Sequence, residues 1–288
     1  MNKEKLNFQV ALPAVERGQA EKSDQKLGMQ QVLERFVRQV RTSWKGEVAP
    51  PIRLLPLMVR AEELPRSTTE PSGVSLGLEE FRLDQIYLDL LKAGPHFLIL
   101  GDMECGKTTL LRTFLRGVEQ SYTPDQVRFG IIDYRKTLLD FVDSKHLLMY
   151  AYNPSTLAEC IGNFKADLDK RMKAGADLPL HQLRSRPRWN GLHYFLIVDD
   201  YDSISSSPSS SPLGPLVDFL LSGRDIGFHL VLARRVGGMG RASFEPALQR
   251  LREMGTSTLI MSGDPQEGAL CMVMQPHSNQ QAVALWYN

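Results

Sequence analysis

Two glycines with four residues between them, followed directly by a lysine and a hydroxyl, stand at Gly101-Asp102-Met103-Glu104-Cys105-Gly106-Lys107-Thr108. The spacing G-x-x-x-x-G-K-[ST] turns consecutive backbone N–H groups inward around a polyphosphate, and the positive end of a following helix adds to their pull. Residues Gly101 to Thr109 are therefore expected to bind ATP. Gly101 and Gly106 permit the close approach, and Asp102, Met103, Glu104 and Cys105 span the loop between them. Lys107 is expected to reach the β- and γ-phosphates as a point charge and Thr108 to ligate Mg²⁺. Thr109 supports the α-phosphate. Cys105 has no histidine near it in sequence and reads as a loop residue, not a nucleophile.

Such a loop needs an acid on a second strand to hold the metal, and His193-Tyr194-Phe195-Leu196-Ile197-Val198-Asp199-Asp200 supplies one. Four apolar residues bury the strand and leave Asp199 at its carboxyl end, where ligands of open α/β sheets bind, so Asp199 is the expected Mg²⁺ residue. Asp200 stands where many such ATPases place a glutamate that orients or deprotonates the attacking water. It is one methylene shorter, so weak or regulated hydrolysis is expected, with Asp200 and Lys107 as the catalytic pair. Asp133 ends another apolar run, and with Tyr134-Arg135-Lys136 it reads as a helix cap and solvated loop. Arg224, Arg234 and Arg235 flank a further strand. Each is either an arginine that acts on a neighbour's site or a surface or ion-pair residue.

The elements that must position these groups follow from periodicity. Short apolar runs at Phe97–Leu100, Val127–Asp133, Leu147–Ala151, Tyr194–Asp199, His229–Ala233 and Thr258–Met261 alternate with amphipathic helical stretches. That alternation predicts a mostly parallel sheet covered by helices on both faces: a three-layer αβα, RecA-like P-loop domain over residues 71–288. Leu110, Leu111, Phe114, Leu115 and Val118 mark the helix after the phosphate loop. Leu157, Ile161, Phe164, Leu168 and Met172 mark a second helix with Pro154 in its first turn. Ser203–Pro215 is Ser/Pro-rich and reads as a mobile surface loop. Residues 1–70 form an N-terminal segment. It holds a short strand at Leu6–Leu12, an amphipathic helix with one buried face (Met29, Val32, Leu33, Phe36, Val37, Val40) and a proline-broken linker over Ala49–Thr69.

Composition narrows the classes. With 288 residues, 42% hydrophobic and 23% charged, the chain can bury a core without staples, and a formal charge of +1 gives no global field for a polyanion, so nucleic acid is not an expected partner. Cys105, Cys160 and Cys271 form no C-x-x-C pair, which predicts neither disulfides nor zinc and fits the cytoplasm. No apolar run approaches the ~20 residues that span a bilayer, so no membrane contact by this chain itself is expected.

Together the phosphate loop, Ile132-Asp133-Tyr134-Arg135, Val198-Asp199-Asp200-Tyr201-Asp202 and Gly223-Arg224-Asp225-Ile226-Gly227-Phe228-His229 resemble the FtsK/SpoIIIE-type ATPases. More narrowly, with Leu54-Leu55-Pro56 and Phe244-Glu245-Pro246, the chain resembles the C-terminal ATPase domain of the type VII (ESX) secretion motors, the EccC/EssC family. Phe8-Gln9-Val10-Ala11-Leu12-Pro13 is similar to the stretch that closes the preceding ATPase domain there. The resemblance implies a domain of a longer protein anchored at the inner face of the cell membrane, and export of WXG100-type proteins. It also implies contact with other ATPase domains of the same protein or of neighbouring subunits. Ala233-Arg234-Arg235 departs from the small polar residues of the DNA-pumping relatives. Two alternatives stay open: a non-catalytic ATP-binding assembly or regulatory module, and a DNA translocase of FtsK type.

Overall fold

The buried apolar runs become strands in the computed structural model, which describes residues 29–46, 54–56, 58–60, 64, 73–79, 82–92, 94–176, 189–205, 211–242, 244–263 and 285–287. The chain divides into two compact units, Met1–Ile52 and Arg53–Asn288. The strand expected at Leu6–Leu12 and most of the linker expected over Ala49–Thr69 lie outside the described residues.

In the first unit the expected helix forms as α1 (Met29–Ser43), but its apolar face is not buried: Leu33, Phe36, Val37 and Val40 are 45–58% exposed. The described residues of that unit amount to this helix and the three after it, which provide no second layer to cover the stripe.

In the second unit a hairpin of β1 (Val74–Leu78) and β2 (Gln85–Leu88) precedes β3 (Phe97–Leu100) and α2 (Lys107–Ser121). Next come β4 (Val127–Ile132), β5 (Leu147–Ala151), α3 (Pro154–Ala176) and β6 (His193–Val198). Short helices α4 (Tyr201–Ile204), α5 (Val217–Leu220) and α6 (Gly223–Ile226) lead to β7 (Phe228–Arg234). Helices α7 (Met239–Ala242) and α8 (Pro246–Glu253), then β8 (Ser257–Ile260) and β9 (Leu285–Tyr287), complete the order.

Strands β3 to β8 pair in parallel in the order β5-β4-β6-β7-β3-β8, with β9 antiparallel at the β8 edge. The six expected strands are all present. Because side chains alternate across a strand, each strand feeds two cores. Leu98, Leu100, Leu196, Val198, Leu230 and Leu232 face α3 and α8, while Phe97, Ile99, Phe195, Ile197 and Val231 face α2 and the hairpin. Both faces of the sheet are thus sealed, and chemistry is left to the strand ends.

Two local expectations are corrected. The tract read as a mobile loop packs from Ser211 onward: Leu213 and Leu216 are buried in the core, and the Ser211 hydroxyl donates to Glu245, the residue that caps α8. Leu213 within the tract and Leu216 just beyond it are enough to anchor its end. Met172 is exposed although Leu157, Ile161, Phe164 and Leu168 of the same stripe are buried. A helix of 23 residues runs roughly 34 Å at ~1.5 Å per residue, longer than the strands beneath it, so its last turns leave the sheet.

Candidate nucleotide site

The phosphate loop leaves β3 at its carboxyl end and winds directly into α2. Gly106 adopts φ 100°, and Glu104 takes the left-handed region at φ 60°, which turns the intervening peptides inward. A side chain on Gly101 would collide with the Cys105 sulfur, so this position has no room for a Cβ. No side chain caps the start of α2, so its first amides remain free to meet an anion. The Asp102 N–H donates to Ser262 Oγ at 2.9 Å, which ties the loop to the end of β8.

The Lys107 ammonium is buried and folded back on its own loop, donating to the Gly101 carbonyl at 2.8 Å and to the Asp102 carbonyl, with the Cys105 sulfur at 3.8 Å. These carbonyls satisfy the cation in a geometry that a phosphate can replace. Thr108 Oγ1 donates to Asp199 Oδ2 at 2.7 Å. That contact spans the sheet: β7 separates β3 from β6, so two strand spacings, roughly 10 Å, lie between the strands that carry the two groups. The first turn of α2 leans across the gap. Hydroxyl and carboxylate so paired are the donor set that a P-loop presents to a divalent ion. No cluster of three His, Cys, Asp or Glu exists among the described residues. The protein therefore offers a partial shell, which suits Mg²⁺, an ion that keeps waters and takes phosphate oxygens. The residues fit the expected Mg²⁺ and ATP.

Asp199 is buried, and its carboxylate also accepts from Thr137 Oγ1 at 3.1 Å and from the Asp200 N–H at 2.9 Å. Burial nevertheless holds its carboxyl above the usual carboxylate range, against those hydrogen bonds, and nearby Asp133 adds to the rise. Asp200 sits in the left-handed region at φ 48°, with Oδ2 at 3.5 Å from the Arg135 guanidinium. Lys107, Thr108, Thr109, Asp199 and Asp200, with Met103, Glu104 and Gly106, all line one cleft of about 460 Å³. Thr109 is exposed at its rim.

The arginines part company. Arg234 is buried and donates to Asp202 Oδ1 at 2.7 Å, so it cannot reach a neighbour without breaking that pair. Arg235 lines this chain's own cleft, its Nε 3.8 Å from Asp202 Oδ2. Arg224 is exposed on α6, before β7 and so at the opposite end of the sheet from the cleft.

The sequence singles out Asp133 and the basic pair after it but not the role of the loop they open. Asp133 is buried, not solvated: its Oδ2 accepts from the Leu138 N–H at 2.7 Å and the Tyr150 hydroxyl at 2.6 Å. It pins a turn, with Lys136 at φ 57°, that carries Arg135 and Thr137 into the cleft. Arg112, one turn beyond Thr108, also lines the cleft and donates to the Thr137 carbonyl. The Asp133 to Leu138 segment carries no spacing motif. Its signals were a basic residue two positions beyond a strand-ending acid and the resemblance carried by Ile132-Asp133-Tyr134-Arg135.

Residues 57–185 match the FtsK/SpoIIIE family. The chain is 41% identical over 241 residues to the ESX secretion system protein EccC of Thermomonospora curvata, covering 84% of this chain and 18% of that protein. It is 43% identical over 225 residues to the ESX-4 secretion system protein EccC4 of Mycobacterium tuberculosis, covering 77% of this chain and again 18% of the relative. It thus spans about a fifth of the length of these relatives. A solved structure of T. curvata EccC, ATPases 2 and 3 in complex with a signal sequence peptide, superposes with a TM-score of 0.77 at 38% identity over 90% of this chain and 46% of that one. The cytoplasmic domain of the same protein superposes with a TM-score of 0.78, covering 30% of that chain.

Proposed function

This chain belongs to the FtsK/SpoIIIE family as an ATPase domain homologous to the ESX secretion protein EccC, and from that premise we propose that it binds ATP with Mg²⁺ and hydrolyses it slowly, as one ATPase unit of a longer type VII export protein. The observation that carries the reading is the 2.7 Å contact between Thr108 and Asp199 beneath the buried Lys107 ammonium. Lys107 exchanges the Gly101 and Asp102 carbonyls for phosphate oxygens, while the turned amides of residues 103–106 hold the rest of the polyphosphate. Thr108 and Asp199 hold Mg²⁺, which when bound neutralises charge shared between the β- and γ-phosphates. Asp200 orients water, and its contact with Arg135 together with its short side chain favours slow turnover. Lys107→Ala is expected to weaken Mg·ATP binding at least about tenfold, the loss of one strong charge-assisted contact. Calorimetric titration checks it; an unchanged affinity in folded protein rejects the reading.

The full-length protein is proposed to be anchored at the inner face of the membrane, with this domain in the cytoplasm, beside further ATPase domains, acting on WXG100-type proteins. A second cavity, about 730 Å³, suits the export role: Leu157, Ile161, Ile204, Pro212 and Pro215 line it with Tyr134. We infer that this apolar groove takes a signal sequence peptide of the kind present in the T. curvata complex. Gly162 also lines it, exposed on α3, and an added Cβ there meets no atom within 4 Å. Gly162→Glu therefore leaves the fold intact while placing a charge in the groove. Peptide affinity, read by fluorescence anisotropy, is expected to fall at least about tenfold. Equal affinity would remove the groove from the account.

A further inference from the structure

The two carboxylates that end β6 are both met by the loop after β4, and by different chemistry. Thr137 gives its hydroxyl to Asp199 at 3.1 Å, on the metal side of the cleft, and Arg135, two residues earlier, lies 3.5 Å from Asp200 Oδ2. The loop that presents them is held from behind by buried Asp133, through the Leu138 amide and the Tyr150 hydroxyl. Burial keeps that phenol protonated far above its ordinary range, so it remains a donor. The backbone of the loop is thus tied down at Asp133 and Leu138, while the Arg135 side chain stands exposed.

Arg135 differs from two other cations of the cleft, since Lys107 is buried in the phosphate loop and Arg112 is bound to the Thr137 carbonyl. Arg235 is also exposed, but it lies 3.8 Å from Asp202, a carboxylate already held by Arg234, whereas Arg135 faces Asp200 itself. Arg135 is 61% exposed and makes one long, single-pronged contact with a carboxylate. An exposed pair of that kind contributes ~1 kcal/mol or less, so a stronger anion can take the guanidinium from it. A terminal phosphate is such an anion, because it offers three oxygens to a planar fork of donors. A diphosphate, held by the loop amides and Lys107, lacks that terminal group and so has no oxygens to offer Arg135 in its place.

We propose that Arg135 is the residue by which this site distinguishes a nucleoside triphosphate from the diphosphate, leaving Asp200 for the terminal phosphate when the triphosphate binds. The exchange has a second result. Asp200, relieved of its cation, then offers both carboxylate oxygens to water in the triphosphate state. The inference rests on the nucleotide reading above.

The test compares ATP and ADP affinities, each with Mg²⁺, on the full chain by calorimetry. Arg135→Ala should lower ATP affinity about tenfold and leave ADP within about twofold, and Arg135→Lys should restore part of the difference. The substitution lies at an exposed side chain, so folding is retained. Asp200→Asn, which keeps a residue tolerant of the left-handed region, should raise the preference for ATP in the parent and not in the Arg135→Ala background. An ATP-to-ADP ratio unchanged by Arg135→Ala, or an Asp200→Asn effect equal in both backgrounds, overturns the proposal. Lys107→Ala separates the two levels. If it binds both nucleotides like the parent, the nucleotide reading falls; if it loses both while Arg135→Ala leaves the ratio unchanged, only the role of Arg135 falls.

Discussion

Asp199 carries three hydrogen bonds and is still held above the ordinary carboxylate range, because removal from water outweighs them. A raised carboxyl is a cost to the fold: above the ordinary range the unfolded chain ionises Asp199 more readily than the folded one, and the penalty fades as pH falls through the raised folded value. A bound cation offsets that penalty. Asp199→Asn removes the charge and keeps the contacts, since the Thr108 and Thr137 hydroxyls can turn to accept from an amide and the Asp200 N–H keeps its oxygen. At pH 8 its melting temperature without nucleotide should therefore equal the parent's or exceed it by about 2 °C. The extra stabilisation that Mg²⁺ gives to the ATP-bound parent should vanish. Thermal melts with ATP, with and without Mg²⁺, check both halves. A variant that keeps the full Mg²⁺-dependent shift would detach Asp199 from the metal.

The same division between local signal and distant contact decides how much was legible in the elements. Strand β6 was readable as Tyr194–Asp199 and forms as His193–Val198, because a strand buried on both faces leaves a continuous apolar run. The phosphate loop was readable because its function is local: eight consecutive residues supply both the turn and the charge. The β1–β2 hairpin was not, since Val74-Ser-Leu-Gly-Leu and Gln85-Ile-Tyr-Leu are short and half-buried and one carries a bulge at Ser75/Gly77. Nor was the antiparallel β9, three residues long. The Asp133–Leu138 loop shows the limit most sharply. Thr137 meets Asp199 across 62 positions, and Asp133 meets Tyr150 across two paired strands, so neither partner leaves a trace in the other's neighbourhood. An acid read as solvated by its flanks is buried by the sheet.

For the unit Arg53–Asn288 as a whole, the end of the sheet away from the cleft sets the response to acid. His96 precedes β3, His193 opens β6 and His229 is second in β7, three adjacent strands. Hydrogen bonds commit the rings of His96 and His229 to neutral forms. The Leu230 N–H donates to His96 Nδ1 at 2.9 Å, which leaves Nε2 to donate to the Leu220 carbonyl at 2.8 Å. His229 Nδ1 faces the Pro95 carbonyl at 2.9 Å, so its Nε2 accepts from His193 Nδ1 at 2.8 Å. A proton added to His96 Nδ1 or His229 Nε2 would confront an N–H. Burial lowers His96 and His193 to about 4, with Arg171 adding at His193, and lowers His229 well below the usual value, with the neighbouring His193 and His96 adding to the fall. The unfolded chain takes these protons near 6.5, so the stability conferred by the neutral rings is complete above pH 6.5 and is lost as pH falls from 6.5 toward 4. For His96 alone the fall from 6.5 to about 4 corresponds to about 3 kcal/mol. The midpoint of urea unfolding should therefore drop steeply between pH 6.5 and 4.5. His96→Gln, whose amide can accept from Leu230 and donate to Leu220 without titrating, should flatten that slope by close to one proton. Carboxylates that titrate in the same window act equally on both proteins, so the difference between the two slopes belongs to His96. Identical slopes in parent and variant would mean that the buried ring already carries its proton in the fold.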